Sequence, residues 1–328
     1  MRDKLQKNAP ALVLIGLMAL FPFAISVLTG ESIDSGTPKF WQGMLAQVFI
    51  LAVYAISYDL LMGYTGILSF GHAMFFGVGG YVVGILLKHV GWSLPVATVA
   101  VILTAVVLSL LIGVTALRVQ GVYLTMVTLA FAQMIFVISE ATDFREWTGA
   151  EDGLQGIPVP AWLSPTQQRL IFYFVSLAFC IVSYYVVRRI TQSPMGRVFV
   201  AIRENELRAR AIGYNTFVYK LVAMVTAGVM AALAGMMNAL WNLNANPNML
   251  ATSTTINALL MTIIGGAGTL SGPLLGAAFI HLLGYGLNVV FGPRWPLLFG
   301  LVYVGIVLFL PYGFMGAWRG WLAKRKRG

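Results

Sequence analysis

Of the residue types that catalyse, bind metals or cradle phosphate, this sequence carries few, and none at a working spacing. Its three histidines, His72, His89 and His281, lie far apart, and no His-Glu-x-x-His run joins any two of them. A histidine metal site is therefore not expected. Cys180 is the single cysteine and sits within an apolar run, so an internal disulfide is excluded and its role is small-residue packing. No Gly-x-x-x-x-Gly-Lys-Ser/Thr stretch occurs, and with it goes that route to holding a nucleotide's phosphates. Acids in the apolar runs are confined to Asp59 and Glu140, both at run ends, whereas ion-coupled transporters keep such groups inside their spans. What the runs do hold is neutral: Gln47, Ser57, Thr125, Thr128, Gln133, Asn238, Asn257 and Thr262. Such groups line a path for a polar solute or tie helices together, and tying is the more general use.

Charge gathers instead in one stretch, 188–220. Arg188, Arg189, Arg197, Arg203, Arg208, Arg210 and Lys220 face only Glu204 and Glu206 there. The stretch has the marks of structure. Ser193 is placed to cap a helix with Pro194 in its first position, and Val198, Phe199, Ala201 and Ile202 form one apolar side. A second short helix is predicted over 206–212, stopped by Gly213 in a left-handed conformation. An amphipathic pair of this kind either lies on anionic lipid or meets a protein partner.

Glycine is the other organised feature. Gly63, Gly66, Ser69, Gly71 and His72 precede an apolar run, and Gly265, Gly266, Gly268 and Ser271 precede a later one, in a shared Gly-x-x-Gly-x-Leu-Ser frame. The frame hints at an internal duplication. Its glycines suit either broken helix ends beside a pathway or close helix packing.

The elements that must position these groups are membrane spans. The 328 residues are 59% hydrophobic and 10% charged, with a mean hydropathy of +0.84, against roughly a quarter charged in soluble domains. Runs of about 20 apolar residues are needed to cross. The candidates are 11–28, 44–61, 67–87, 94–117, 122–139, 170–187, 221–240, 254–264, 273–290 and 297–310. The first is read as a retained span and not a cleaved leader. Because 254–264 is short, the expected count of about ten stands beside eight or nine. The fold expected is an all-α polytopic helix bundle, a single transmembrane domain over 1–328. With the N-terminus inside, the basic tail residues Arg2, Lys4, Lys7, Arg319, Lys324, Arg325, Lys326 and Arg327, Arg118 and the 188–220 stretch all fall inside, so both termini are expected in the cytoplasm. The net charge of +10 thus reports membrane topology and lipid contact, and nucleic acid is not an expected partner.

The longest outer loop, 140–168, carries Glu140, Asp143, Glu146, Glu151 and Asp152 around a Gly- and Pro-rich centre. It reads as a solvated loop or as a docking surface. The Asn-rich 241–249 reads as a re-entrant or capping connection.

Taken in order, GYTGILSFGHAMFFGVGGY (63–81), LRVQGVYLTMVTLAFAQM (117–134), TGAEDGLQGIP (148–158), SPMGRVFVAIRENELRARAIGYN (193–215) and GGAGTLSGPLLGA (265–277) resemble the permease subunits of ABC importers for branched-chain amino acids, on the LivM-like side of that family. The resemblance implies that 193–215 docks on an ATP-binding subunit, through Ser193, Gly196, Arg197, Ile202, Arg203, Glu204, Glu206, Ala209 and Gly213. The family's coupling signature places a glutamate, two alanines, three residues and a glycine. Glu206, Ala209, Ala211 and Gly213 approximate it with altered spacing. For the pathway or its helix packing the resemblance points to the two glycine stretches with Thr125, Thr128 and Gln133. It implies no catalytic residue and no cofactor in this chain, with ATP and Mg on partner subunits. The implied partners are a second related permease, two ATP-binding subunits and a periplasmic or lipid-anchored binding protein, at a bacterial or archaeal cytoplasmic membrane. Branched-chain or other small hydrophobic amino acids are the expected cargo, with urea or short amides as the alternative. An ion-coupled secondary transporter and a membrane-embedded enzyme are the rival classes.

Overall fold

The computed structural model describes the backbone of residues 2–309 and 313–317 and the side chains of 15–306, 308–309 and 313–317. The C-terminal basic residues Arg319 and 324–327 lie outside the described residues, as do the side chains of Arg2, Lys4 and Lys7. The chain opens with α1 (Arg2–Thr29), followed by α2 (Gly36–Asp59), which runs on through a π-helical turn to Tyr64. After an extended stretch come α3 (His72–Ile85), likewise prolonged by a π turn to Val90, then α4 (Leu94–Ala116) and α5 (Val122–Glu140). Next stand the short α6 (Arg145–Thr148), the two-residue strand β1 (Leu154–Gln155) and α7 (Arg169–Thr191). The pair α8 (Pro194–Glu204) and α9 (Glu206–Ala211) leads into α10 (Thr216–Asn242) and strand β2 (Asn244–Ala245). The last elements are α11 (Thr252–Gly265), α12 (Ser271–Phe291) and α13 (Trp295–Phe309).

Among the described residues, seven helical segments are long and apolar enough to cross a membrane, and the shorter apolar helices Ile15–Thr29 and Thr252–Gly265 stand beside them. The protein is thus an all-α polytopic membrane protein. The last segment, Ser271–Ile306, counts 36 residues, about 54 Å if straight, well beyond a bilayer core of about 30 Å. It does not run straight. Gly292 takes φ +53°, Pro293 follows, and the Trp295 ring returns to 3.7 Å from where a Gly284 Cβ would stand. So α13 folds back along α12.

The central helix is α2, buried on nearly all sides against α7, α10, α11 and α12. Packing of α3 on α10 brings backbone to backbone: a Cβ on Gly235 would stand 1.7 Å from Phe76 O, and one on Gly79 2.0 Å from Ala232 O. Only glycine permits that approach. The predicted span 67–87 starts later than expected, because 66–71 is not helical. Gly66 at φ +72° breaks the helix there, and hydropathy does not register the break.

Two opposed faces emerge. One, the loop face, carries α8 and α9, the end of α2, and the α11–α12 junction. The other, the strand face, carries the antiparallel pairs Leu154↔Ala245 and Gln155↔Asn244. From this pair the chain dips back along α3, with Met249 beside Gly80 and Leu250 beside Gly77, before α11 begins. The 241–249 connection therefore re-enters the bundle.

Candidate functional site

The loop face is built from local chemistry first. Ser193 Oγ accepts from the Gly196 N–H at 3.4 Å, and Pro194 opens α8. Asn205 accepts from the Arg208 N–H at 2.8 Å to start α9, and Gly213 at φ +95° ends it. Val198, Phe199 and Ile202 are buried, and Phe199 meets Tyr219 edge-on at 6.5 Å. The apolar side of α8 therefore rests on the ends of α7 and α10, and a Cβ on Gly196 would stand 2.1 Å from Thr191 O.

Glu206 fastens α9 to α10. Its Oε1 accepts from Arg210 at 2.7 Å and Thr216 at 2.9 Å, and its Oε2 accepts from Lys220. Burial alone would raise the Glu206 carboxyl, but these three donors and the Lys220 charge hold it below the ordinary carboxylate range. With its base fixed, the pair presents an outer side on which Leu207 is 76% and Ile212 67% exposed, flanked by Arg208. Arg197 and Glu204 are exposed, and Ala209 is buried within the pair.

Arg203 links this pair to the bundle. Its guanidinium donates to Gly63 O, and a Cβ on Gly66 would stand 2.9 Å from its Cγ. Fully buried Asp59 lies beside that contact. Its Oδ1 accepts from the Gly268 N–H at 2.6 Å and its Oδ2 from the Leu270 N–H at 3.4 Å. Leu270 holds φ +56° with ψ −48°, a sparsely populated conformation costing about 1–3 kcal/mol outside glycine, and so needs such a fixture. The two glycine stretches, distant in sequence, thus meet around one carboxylate. A Cβ on Gly63 would stand 2.0 Å from Asp59 Oδ1 and 2.4 Å from Gly268 N.

The remaining predicted residues take other places. Ser69 O accepts from Tyr58 at 3.1 Å, and Gly71 lies against Thr128, its absent Cβ 2.3 Å from Thr128 O. Thr128 Oγ1 accepts from the Phe70 N–H at 3.3 Å, and Thr125 bonds back to Val122 O. His72 is buried, bonded to Ser57 Oγ at 2.8 Å and stacked on Tyr54. Gly265 packs on Gly272, Gly266 takes φ +112°, and Ser271 Oγ donates to Thr269 O at 3.2 Å. Gln133 is exposed on α5, apart from both groups.

Sequence reasoning noted Asp59 without giving it work. Its signal was a lone acid just before Gly63. It also left Gln47, Asn238 and Asn257 as pathway-lining groups or helix ties, with tying the more general use; all three line a cavity of about 630 Å³ between α2 and the α10–α13 helices, and Gln47 also bonds Asn238 across α2 and α10. The cavity wall holds no aspartate, glutamate, lysine or arginine, and one histidine, His281, stands in it. On the strand face, 140–168 is ordered: Leu154 and Ile157 are buried, while Asp143, Glu146, Glu151 and Asp152 point outward.

Residues 41–311 match the family described as branched-chain amino acid transport system / permease component. The chain is 26% identical to the high-affinity branched-chain amino acid transport system permease protein LivM of Escherichia coli (strain K12), over 93% of this chain and 74% of that one. It is 23% identical to a probable branched-chain amino acid transport permease protein LivM of Methanocaldococcus jannaschii, over 80% and 89% of the two chains. It is also 26% identical to the autoinducer 2 import system permease protein LsrC of Photorhabdus laumondii, over 93% and 90%. No solved structure matches the chain.

Proposed function

The chain belongs to the family of branched-chain amino acid transport system permease components, and on that premise we propose that it is the membrane-spanning subunit of an ATP-driven importer for small amino acids. The observation that carries this reading is the α8–α9 pair. It is braced from within by Glu206, offers Leu207, Ile212 and Arg208 outward, and reaches the bundle core through Arg203 and Asp59. An apolar tip ringed by arginines suits a groove on an ATP-binding partner, and two copies of that partner would supply the nucleotide and Mg. Movement of the tip would act on Gly63 and on the Gly268–Leu270 backbone together, and so on α2 and the α11–α12 hairpin. ATP-driven closure thereby favours one opening of the pathway over the other.

The loop face is cytoplasmic in this reading. Support comes from Arg118, Arg188, Arg189, Arg197, Arg203, Arg208 and Arg210, which gather on it, while most acids gather on the strand face. Ten crossings follow if α1, the short α11 and the α12–α13 hairpin are each counted. The acidic 140–168 loop then faces outward to receive a loaded binding protein, and a second permease completes the pathway. Branched-chain amino acids are the favoured cargo, since the cavity wall is apolar and amide-bearing, with His281 and no carboxylate, lysine or arginine. The alternative cargo is a solute like the one for which the autoinducer 2 import relative is named. The test is ATP-driven uptake by the reconstituted complex with and without Leu207→Asp. Loss of coupling with intact bundle folding is expected.

A further inference from the structure

The cavity between α2 and the α10–α13 helices is unusual in what its hydrogen bonds leave over. Gln47 Nε2 donates to Asn238 Oδ1 at 2.8 Å, and Asn242 Nδ2 donates to the same oxygen at 3.2 Å and to Asn238 O at 3.0 Å. If these amides only tied α2 to α10, their valences would be used within the protein. They are not. Asn238 Nδ2 and Asn242 Oδ1, both on residues of the cavity wall, have no partner among the described residues, and Gln47 Oε1, enclosed away from the cavity space, has none either. A polar group left unpaired away from bulk water costs about 1–3 kcal/mol, and a solute or water in the cavity relieves that cost at Asn238 and Asn242. Asn257 and Asn288 add amides from α11 and α12, and Tyr54 and Phe76 supply an apolar wall. The volume of about 630 Å³ lies in the range of small-molecule sites.

We propose that the Gln47–Asn238–Asn242 amide cluster is a solute site in the permease itself, one that accepts small solutes of zero net charge bearing both donors and acceptors. An amide offers a donor and an acceptor at once, so the cluster satisfies the two ends of a zwitterion or the hydroxyls of a polyol equally. A net ion entering a wall without a carboxylate, lysine or arginine, where His281 is the one ionisable base, meets a desolvation penalty of several kcal/mol. The site therefore filters by net charge, a selection made after any external binding protein has made its own. This inference rests on the permease reading above.

The chain's only cysteine, Cys180, is buried, so an introduced thiol is the one exposed thiol of this chain, and labelling is read on this chain after separation from its partners. Gly284 lines the cavity, and a Cβ there meets only the Trp295 ring at an ordinary 3.7 Å, so Gly284→Cys adds a reporter without removing a side chain. The experiment measures N-ethylmaleimide labelling of Gly284→Cys in the reconstituted complex against rising leucine, ribitol, glutamate and lysine. Saturable protection by leucine or ribitol is expected, with labelling about tenfold slower at ten times the solute's Kd. Leucine alone protecting assigns the amino acid class, and ribitol alone assigns the neutral polyol class. Adding Asn238→Leu should abolish the protection while labelling itself persists. The proposal is overturned if neither neutral solute protects, if glutamate or lysine protects equally, or if Asn238→Leu leaves protection intact. ATP-driven uptake is measured in the same vesicles. Uptake without protection sinks the site alone, whereas absence of uptake sinks the permease reading.

Discussion

Asp59→Asn is the sharpest perturbation of the loop-face junction, because it keeps the side chain's shape and changes only charge and one acceptor. In the native protein the carboxylate accepts from Gly268 N–H at 2.6 Å and from Leu270 N–H at 3.4 Å. The amide retains an oxygen for Gly268, but the bond falls from charge-assisted to neutral, a loss of about 1 kcal/mol. Its NH2 then faces the Leu270 N–H, donor against donor, and leaves a buried group unpaired at about 1–3 kcal/mol. Together these weaken the 265–271 clamp by roughly 2–4 kcal/mol, and at about 1.4 kcal/mol per tenfold the loop opens roughly 30- to 700-fold more often. Hydrogen exchange of peptides covering 262–275, in the reconstituted protein, reads that opening directly. Exchange at Gly268 and Leu270 should quicken by this factor, while α3–α10 peptides stay unchanged. Unchanged protection at Gly268 and Leu270 would refute the reasoning. ATP hydrolysis by the complex should persist with poor uptake, since the tip still docks while its link to α11–α12 slips.

Two further outcomes follow from the same geometry. Glu206 is held below the ordinary carboxylate range in the folded protein, so its contribution is present above the unfolded value of about 4.3 and is lost as pH falls through the lower folded value. The α8–α9 pair should stay ordered at mildly acid pH, and Glu206→Gln should speed tryptic cleavage at Arg208 and Arg210 at neutral pH. Gly235→Ala places a Cβ 1.7 Å from Phe76 O with backbone on both sides, so α3 and α10 must part. Folded yield after membrane extraction should collapse, whereas Gly300→Ala, with nothing within 4 Å, should leave it unchanged.

How far the sequence spoke depended on the range of the interactions involved. The Ser193 cap, the Pro194 start and the Gly213 stop of α8–α9 are local, and the residues themselves declare them. Helical class and membrane setting follow from composition. The start of α3 at His72 did not follow, because 66–71 is apolar yet unwound around Gly66, and hydropathy carries no record of hydrogen bonding. Asp59 is separated by 209 residues from Gly268, so its role exists only once α2 meets the α11–α12 junction. The Gly-x-x-Gly-x-Leu-Ser frame did mark both stretches that meet there. The asparagines of 238–257 were visible as composition. Whether they tie helices or face a void depends on which amide atoms stay unpartnered, as Asn238 Nδ2 and Asn242 Oδ1 do among the described residues, and that is decided only once the helices pack.

The central claim is that force from ATP enters through the exposed tip of α8–α9. Vesicles holding this chain, its permease partner, the ATP-binding subunits and a binding protein loaded with labelled leucine or a neutral polyol test it in one measurement. Uptake should require ATP, survive collapse of the proton and sodium gradients, and vanish with Leu207→Asp although the variant bundle stays folded. Uptake that continues without ATP and fails when the gradients collapse, or that ignores Leu207→Asp, would contradict the account.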